Sequence, residues 1–481
     1  FEMKIKSGNL REECDVVVLS KFEDEKKLSK SIVEIDKDLD LIEKYAISQD
    51  NFEGKFGATY VLQTYGKIPA KKVLLVGLGS KKLFTANLLR ELVAKITKIL
   101  NVMNAQKVCI SLDTNLSEEK YAHNVALGLM MGEYSFDKYK SKKNKRTIKE
   151  VIVNTSSEEE LRKGQLIGEA TSYARNLSNE PAQYLTPEKL AQYAKEIEGI
   201  ETKVLMPEEI EKEGMTAYLA VARGSVHTPR FIHMHYKPEN AKKTIALIGK
   251  GITFDSGGMD LKPPASMLTM RDDMSGGAVV MAVMKLLKDL KPDVEVHGII
   301  AACENMISGK AYKPGDIITA KNKKTIEVEN TDAEGRITLA DALCYACELK
   351  VDEIIDIATL TGACMVALGS QCAGLLGNNE ELKDKIKKIG DEQGERFWKL
   401  PMYPEYFEPL KSDVADMKNT GGRWGGASSA GLFLNEFVDK NIPWAHLDIA
   451  GTAFLDRPQK DLIKGATGIG VRTLINYIAG E

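Results

Sequence analysis

The chain has 481 residues, 43% apolar and 28% charged, a globular composition too long for one ordinary core, so two domains are expected. A formal net charge of −3 gives no bulk attraction to nucleic acid or anionic membranes. No apolar run approaches the roughly 20 residues of a spanning helix, and the chain reaches Arg11, Glu12 and Glu13 without the apolar core of a secretion signal, the expected start being Met3, after Phe1 and Glu2.

In chain order, Cys14–Leu19, Thr59–Leu62, Lys72–Val76 and Lys107–Leu112 read as β-branched, apolar strands. Leu88–Leu100 and Glu118–Met131 read as helices, which makes residues 1–155 a smaller α/β domain. The lysine-rich run Lys138–Arg146 precedes a strand at Val151–Val153, and Glu158–Leu177 has the composition of a connector helix spanning 156–177. Residues 178–481 read as a second, larger domain, with buried strands at Thr244–Ile248, Val294–Ala301 and Glu353–Ile357. Helices at Gly277–Leu290 and Ile337–Leu349 lie between them, predicting a mixed, mostly parallel sheet flanked by helices. Ligands bind such sheets where loops leave the carboxyl ends of strands.

The chemistry-bearing residues fall at those ends. Gly249–Gly258 places Lys250 and Asp255 in a glycine-rich loop after the first strand, and Lys262 follows. Arg271–Gly277 brings Asp272 and Asp273 to the start of the next helix, and Glu329–Arg336 adds Asp332, Glu334 and Arg336 before another. Any one of Asp255, Asp273, Asp332 and Glu334 could be a helix cap or a solvated loop residue. Four carboxylates at one sheet edge repel one another unless cations compensate them, and divalent ions fit that need and suit hydrolysis.

Histidine is scarce: six occur, none in these segments, and no HExxH is present. A centre built on imidazole is therefore not expected. His233 and His235 alternate within Phe231–Tyr236 and read as packing on one side of a strand. Gly249–Gly251 is not a P-loop, and Val76–Gly79 lacks the third glycine of a dinucleotide site. Seven cysteines, an odd number, predict free thiols in a cytoplasmic protein. The CxxC at Cys344–Cys347 falls within a helix and reads as packing.

Asn330–Arg336 resembles the signature of the leucyl aminopeptidase family, and Gly249–Gly258 is similar to that family's metal-loop motif. Asn179–Pro187, Glu304–Gly309, Lys411–Asp416 and Trp444–Thr452 are also similar to family segments, so the resemblance runs from about Arg175 to the C-terminus. The N-terminal domain is similar only loosely, for instance at Val73–Gly79.

The resemblance implies a metal-dependent aminopeptidase that removes N-terminal amino acids, leucine-like ones preferred, from short peptides. Two divalent ions per subunit (zinc, manganese or magnesium) would share Asp255 and Glu334. Asp332 would complete one site; Lys250, as a neutral amine, and Asp273 would complete the other. Burial beside a dication is the pressure that would lower the lysine pKa from about 10.4. The ions would activate a hydroxide, Lys262 would stabilise the oxyanion, and Arg336 would hold a bicarbonate general base. Family pocket positions correspond to Met270, Thr359, Gly362, Gly451 and Phe454; Phe454 sits where members differ, and Asp272 and Ser275 depart from the commoner motif residues. A homohexamer, a dimer of trimers around an interior cavity, is implied as well.

Two rival readings use the same chain. Lys138–Arg146 with Tyr139 interleaved could bind DNA, although such a run is ordinarily a solvated loop and no recognition motif accompanies it. A two-metal phosphoesterase could use the same carboxylates, but would normally recruit histidines and phosphate donors absent from these segments.

Overall fold

The computed structural model describes residues 3–480; Phe1, Glu2 and Glu481 lie outside the described residues. The chain divides into two compact units, one running to Ser172 and including Pro458–Ile463, the other Tyr173–Arg457 with the chain from Lys464 onward. The division falls inside the helix Glu158–Asn179.

The first unit is built on six strands: β1 (Lys4–Ser7), β2 (Cys14–Phe22), β3 (Thr59–Gln63), β4 (Ala70–Gly79), β5 (Lys107–Ser111) and β6 (Glu150–Val153), in the order β1-β6-β5-β2-β4-β3. All pairings are parallel except β3 with β4. The unbroken apolar run in β2 has a simple cause. Val16 and Val18 pack with Leu92 and Ile96 in one cluster, while Val17 and Leu19 pack with Ile32 and Ile35 in another, so both faces are covered. The Lys138–Arg146 run is largely exposed, with Arg146 turned back onto the Ser135 carbonyl at 2.9 Å.

The second unit adds β7 (Glu201–Leu205), β8 (Arg230–Tyr236), β9 (Lys243–Asp255), β10 (Val294–Asn305), β11 (Ile317–Thr319), β12 (Thr325–Glu327), β13 (Glu353–Ala358), β14 (Ala373–Gly377), β15 (Phe397–Lys399), β16 (Met417–Lys418) and β17 (Trp444–Asp448). Eight of them form one sheet in the order β15-β14-β17-β13-β9-β10-β8-β7. Its centre, β17-β13-β9-β10, is parallel, and the antiparallel pairs lie outside it. Helices Ser275–Leu290 and Glu334–Glu348 follow β9 and β12. Ile248, Ile337, Leu343, Phe433 and Trp444 belong to one buried cluster. Among the described residues no helix is long and apolar enough to cross a membrane. Cys344 and Cys347 are free thiols, both near the Phe437 carbonyl.

The structure corrects one local expectation. β9 does not stop at Ile248; it continues to Asp255, so Lys250 and Asp255 stand on a strand rather than in a glycine-rich loop. The glycines there answer to crowding. A Cβ on Gly249 would sit 2.5 Å from the Gly276 carbonyl oxygen, and one on Gly251 would sit 2.5 Å from the Ile300 side chain.

Candidate metal centre

Three segments converge at the carboxyl edge of the parallel strands. β9 ends on Asp255, the helix Ser275–Leu290 begins just after Asp273, and Glu334 is the first residue of the helix Glu334–Glu348. Carboxylates at helix N-termini face unpaired N–H groups and the positive end of the dipole. One oxygen from each of Asp255, Asp273 and Glu334 lies within 4.8 Å of the others, and all three residues are buried.

Two lysines reach into this group. Lys250 Nζ is 2.7 Å from Asp273 Oδ1 and 2.9 Å from Glu334 Oε1. It also donates to the Thr359 carbonyl at 3.0 Å. Lys262 Nζ lies 2.9 Å from Asp255 Oδ2 and 2.6 Å from Asp332 Oδ1. Six of the seven residues singled out by sequence, Lys250, Asp255, Lys262, Asp273, Asp332 and Glu334, are thus brought together. Arg336 is buried two residues after Glu334 on the same helix; its Nη1 donates to the Asn419 carbonyl at 2.9 Å, and burial brings its guanidinium down to about 10.

The charge balance is tense. Burial, then the charge of Asp255, pushes the Glu334 and Asp332 carboxyls up, and burial does the same to Asp273 despite Lys250. Burial works to depress Lys250, but Asp273, Glu334 and Asp255 outweigh it and hold the ammonium protonated. In this arrangement lysine does by ion pairing what a dication among the same oxygens would do more strongly. Asp273 Oδ2 and Glu334 Oε2 are buried without a hydrogen-bond partner, as is Arg336 Nε. Buried anionic oxygens left unpaired are costly. Hard oxygens beside one lysine, which ligates only once an ion displaces its proton, are a donor set that divalent cations accept, so the residues present fit such ions.

Some supporting residues escaped the reading of the sequence. Asn305 donates from Nδ2 to Asp255 Oδ1 at 2.8 Å and to the Thr331 carbonyl at 3.0 Å, which orients the aspartate. A register slip between Cys303 and Glu304 places a bulge just before it. Asn419 accepts from the Glu329 N–H at 2.8 Å and donates to the Asn330 carbonyl at 2.6 Å, clamping the turn that carries Asp332 and Glu334. The only sequence sign of Asn305 was its place in Glu304–Gly309; Asn419 carried none.

The pocket positions are placed less uniformly. Thr359 joins the centre directly, its hydroxyl donating to Asp273 Oδ1 at 2.8 Å. Met270 opens the short turn that leads to Asp273, and Arg271 in that turn lies 5.5 Å from the centre of the Phe454 ring. Gly451 lies against Gly369 and Met365, at the end of the helix that starts at Gly362, where a Cβ would find open space.

Comparison with known proteins identifies the family. Residues 172–475 match the model of the cytosol aminopeptidase family, catalytic domain, and residues 16–143 match that family's N-terminal domain. Similar curated relatives include the probable cytosol aminopeptidase of Persephonella marina, 46% identical over 100% of both chains. That of Aquifex aeolicus is 48% identical over 89% of this chain and 88% of its own. Among solved structures, a mutant of tomato leucine aminopeptidase superposes with a TM-score of 0.90 at 35% identity, covering 100% of this chain and 97% of its own. The bottromycin maturation enzyme BotP in complex with Mn gives 0.87 at 32% identity, covering 97% and 99%. The chain belongs to the cytosol aminopeptidase family, whose members are metal-dependent aminopeptidases, and it is a hydrolase of that class.

Proposed function

We propose that this chain removes single, preferably leucine-like, amino acids from the N-termini of short peptides at a centre of two divalent ions. The observation that carries this reading is the buried group of Asp255, Asp273 and Glu334, with carboxylate oxygens left unpaired beside two lysines. Asp255 and Glu334 would be shared by both ions, Asp332 would complete one site, and Lys250 with Asp273 would complete the other. When bound, the ions supply an acidified water, its pKa lowered from 15.7 towards about 7, and Lewis acidity at the scissile carbonyl. Zinc, manganese and magnesium all suit oxygen donors with one amine; the manganese complex of BotP supports manganese among them.

The protein's own groups do the rest. Burial opposes charge on Lys262, but Asp255, Glu334 and Asp273 hold its ammonium protonated, so it offers preorganised positive charge to an oxyanion. Arg336, with a buried and unpartnered Nε, would hold bicarbonate, which supplies a general base. Asp273, fixed by the Thr359 hydroxyl, would orient the substrate's free α-amine. An acylated nitrogen lacks the basic lone pair for that role, which limits the enzyme to exopeptidase action. Met270, Thr359, Gly362, Gly451 and Phe454 would form the side-chain pocket, small glycines beside apolar walls suiting leucine. The family relationship further supports a cytoplasmic homohexamer, a dimer of trimers.

The test is hydrolysis of leucine p-nitroanilide before and after chelation, with manganese or zinc restored, beside the N-acetylated substrate. Cleavage that requires both metal and a free amine is expected. Cleavage of the acetylated compound, or cleavage surviving complete metal removal, would refute the proposal.

A further inference from the structure

A second group of metal-competent side chains lies at the opposite end of the same sheet. Alternating histidines on a strand, taken alone, read as packing; strand pairing changes their company. β8 pairs antiparallel with β10, placing His235 opposite His297, and β7 pairs antiparallel with β8, placing Glu201 opposite His235. Residues facing each other across antiparallel strands share a face, and so do residues two apart on one strand. Glu201, His233, His235, Glu295 and His297 therefore stand on one face of the sheet.

The contacts among them are close. His235 Nε2 lies 2.6 Å from Glu295 Oε1, and His297 Nε2 lies 3.9 Å from the same oxygen. The rings of His235 and His297 stack with centroids 4.3 Å apart. One donor atom from each of the three residues falls within 4.8 Å of the others. Donors at about 2.0–2.1 Å from a tetrahedral ion stand about 3.3 Å apart, so the two separations to Glu295 need to change by about 0.7 Å, and the stacked rings must turn for both lone pairs to reach one ion. The side chains are partly accessible, at 23% for His235, 16% for Glu295 and 9% for His297, which leaves a path from solvent.

The surroundings are those a ligating imidazole requires. His297 Nδ1 is 2.9 Å from His233 Nε2, and His233 Nδ1 is 3.0 Å from the Tyr345 hydroxyl. One consistent assignment runs Nδ1–H of His297 to His233 and Nδ1–H of His233 to Tyr345. It leaves the Nε2 lone pair of His297 free on the side of Glu295. Metal-bound histidines are typically oriented by just such a partner on the other ring nitrogen. Lys237 Nζ lies 3.7 Å from Glu295 Oε1, and its side chain is 69% exposed. An exposed ammonium at that range is a weak competitor for a divalent ion.

We propose that His235, Glu295 and His297 form a separate site for zinc or a similar borderline divalent cation, with water or Glu201 as the fourth donor, that clips strand β8 to β10. Its nitrogen-rich donor set differs from the carboxylate-rich catalytic group and favours zinc over manganese or magnesium. His297 is eight residues from Asn305 along β10, roughly 25 Å at the usual rise, so the clip acts on stability and not on the reaction. Binding to the folded state alone stabilises it by mass action.

The test is zinc content per subunit, by plasma mass spectrometry after equilibrium dialysis of the full-length protein. Wild type is compared with His235→Asn, His297→Asn and Glu295→Gln, each checked for native circular dichroism and for leucine p-nitroanilide hydrolysis. Each variant should carry about one zinc equivalent fewer than wild type, keep its hydrolytic activity, and lose the wild-type rise in melting temperature on adding zinc to manganese-loaded enzyme. If a packing role of His297 prevents folding of that variant, Glu295→Gln and His235→Asn carry the comparison, since both side chains are partly exposed. Equal zinc content in wild type and folded variants would overturn the proposal, whatever becomes of the catalytic assignment.

Discussion

Gly335 shows how tightly the centre is built at the scale of single residues. A Cβ there would lie 2.5 Å from Lys250 Cε and 2.7 Å from its Nζ. Alanine cannot enter without driving Lys250 from between Asp273 and Glu334. Gly335→Ala should therefore cost about 1–3 kcal/mol of stability and, because misplacement by about 1 Å is amplified in catalysis, about 100-fold in kcat/KM. Denaturant unfolding and steady-state kinetics on the same preparation check this; unchanged kinetics would mean that Lys250 has no part in the reaction. The site residues were legible one by one, since Lys250, Asp255, Asp273, Asp332 and Glu334 stand in motifs read from the sequence. Their supports were not. Asn419 is 89 residues from the Asn330 turn it clamps, and no local pattern announces such a partner.

Elements were legible where periodicity is strong and blurred where glycine interrupts it. The apolar runs of β2, β4, β9 and β13 appear close to their expected positions. β9 outran its expected end because Gly249 and Gly251, which read as loop residues, serve instead to let the Gly276 backbone and Ile300 approach. The imidazole group escaped for a different reason: His235 and Glu295 are 60 residues apart and meet only through strand pairing. Helix pairing in the first unit gives an acid-dependent term. Glu160 on the helix Glu158–Asn179 lies 3.4 Å from His123 on the helix Glu118–Glu133. The His123 ring first, then Lys163, pulls the Glu160 carboxyl down to about 2 against partial burial. Because the folded-state value is depressed, the unfolded chain binds the extra proton, so this stabilisation is present above about pH 4.5 and fades as pH falls towards about 2. Wild type should exceed Glu160→Gln in stability at about pH 6 and lose that advantage progressively as pH falls from about 4.5 to about 2, as chemical denaturation at each pH would record. A difference that is constant with pH would show that the pairing contributes no such term.

At the scale of the whole molecule, each unit buries its own apolar faces around its own sheet. Part of that organisation could not be read in advance: Pro458–Ile463 packs with the first unit although it lies deep in the second half of the sequence. Arg90 Nε, buried, meets Asp461 Oδ2 at 3.1 Å there, a contact across 371 residues. Assembly is a property of this scale too, and the proposed homohexamer predicts sedimentation as six chains of 53.1 kDa. A fully active monomer would contradict it.

The central claim is that a buried group of carboxylates and lysines is a two-ion catalytic centre with distinct roles for its members. The most direct test measures bound metal and leucine p-nitroanilide hydrolysis together for Glu334→Gln and Lys262→Gln. The account predicts that Glu334→Gln loses metal and activity together, because both ions share Glu334. Lys262→Gln should retain the metal of the wild type and lose turnover by about 100-fold or more, the scale of removing one oxyanion donor. Full metal retention with Glu334→Gln, or metal loss with Lys262→Gln, would contradict it.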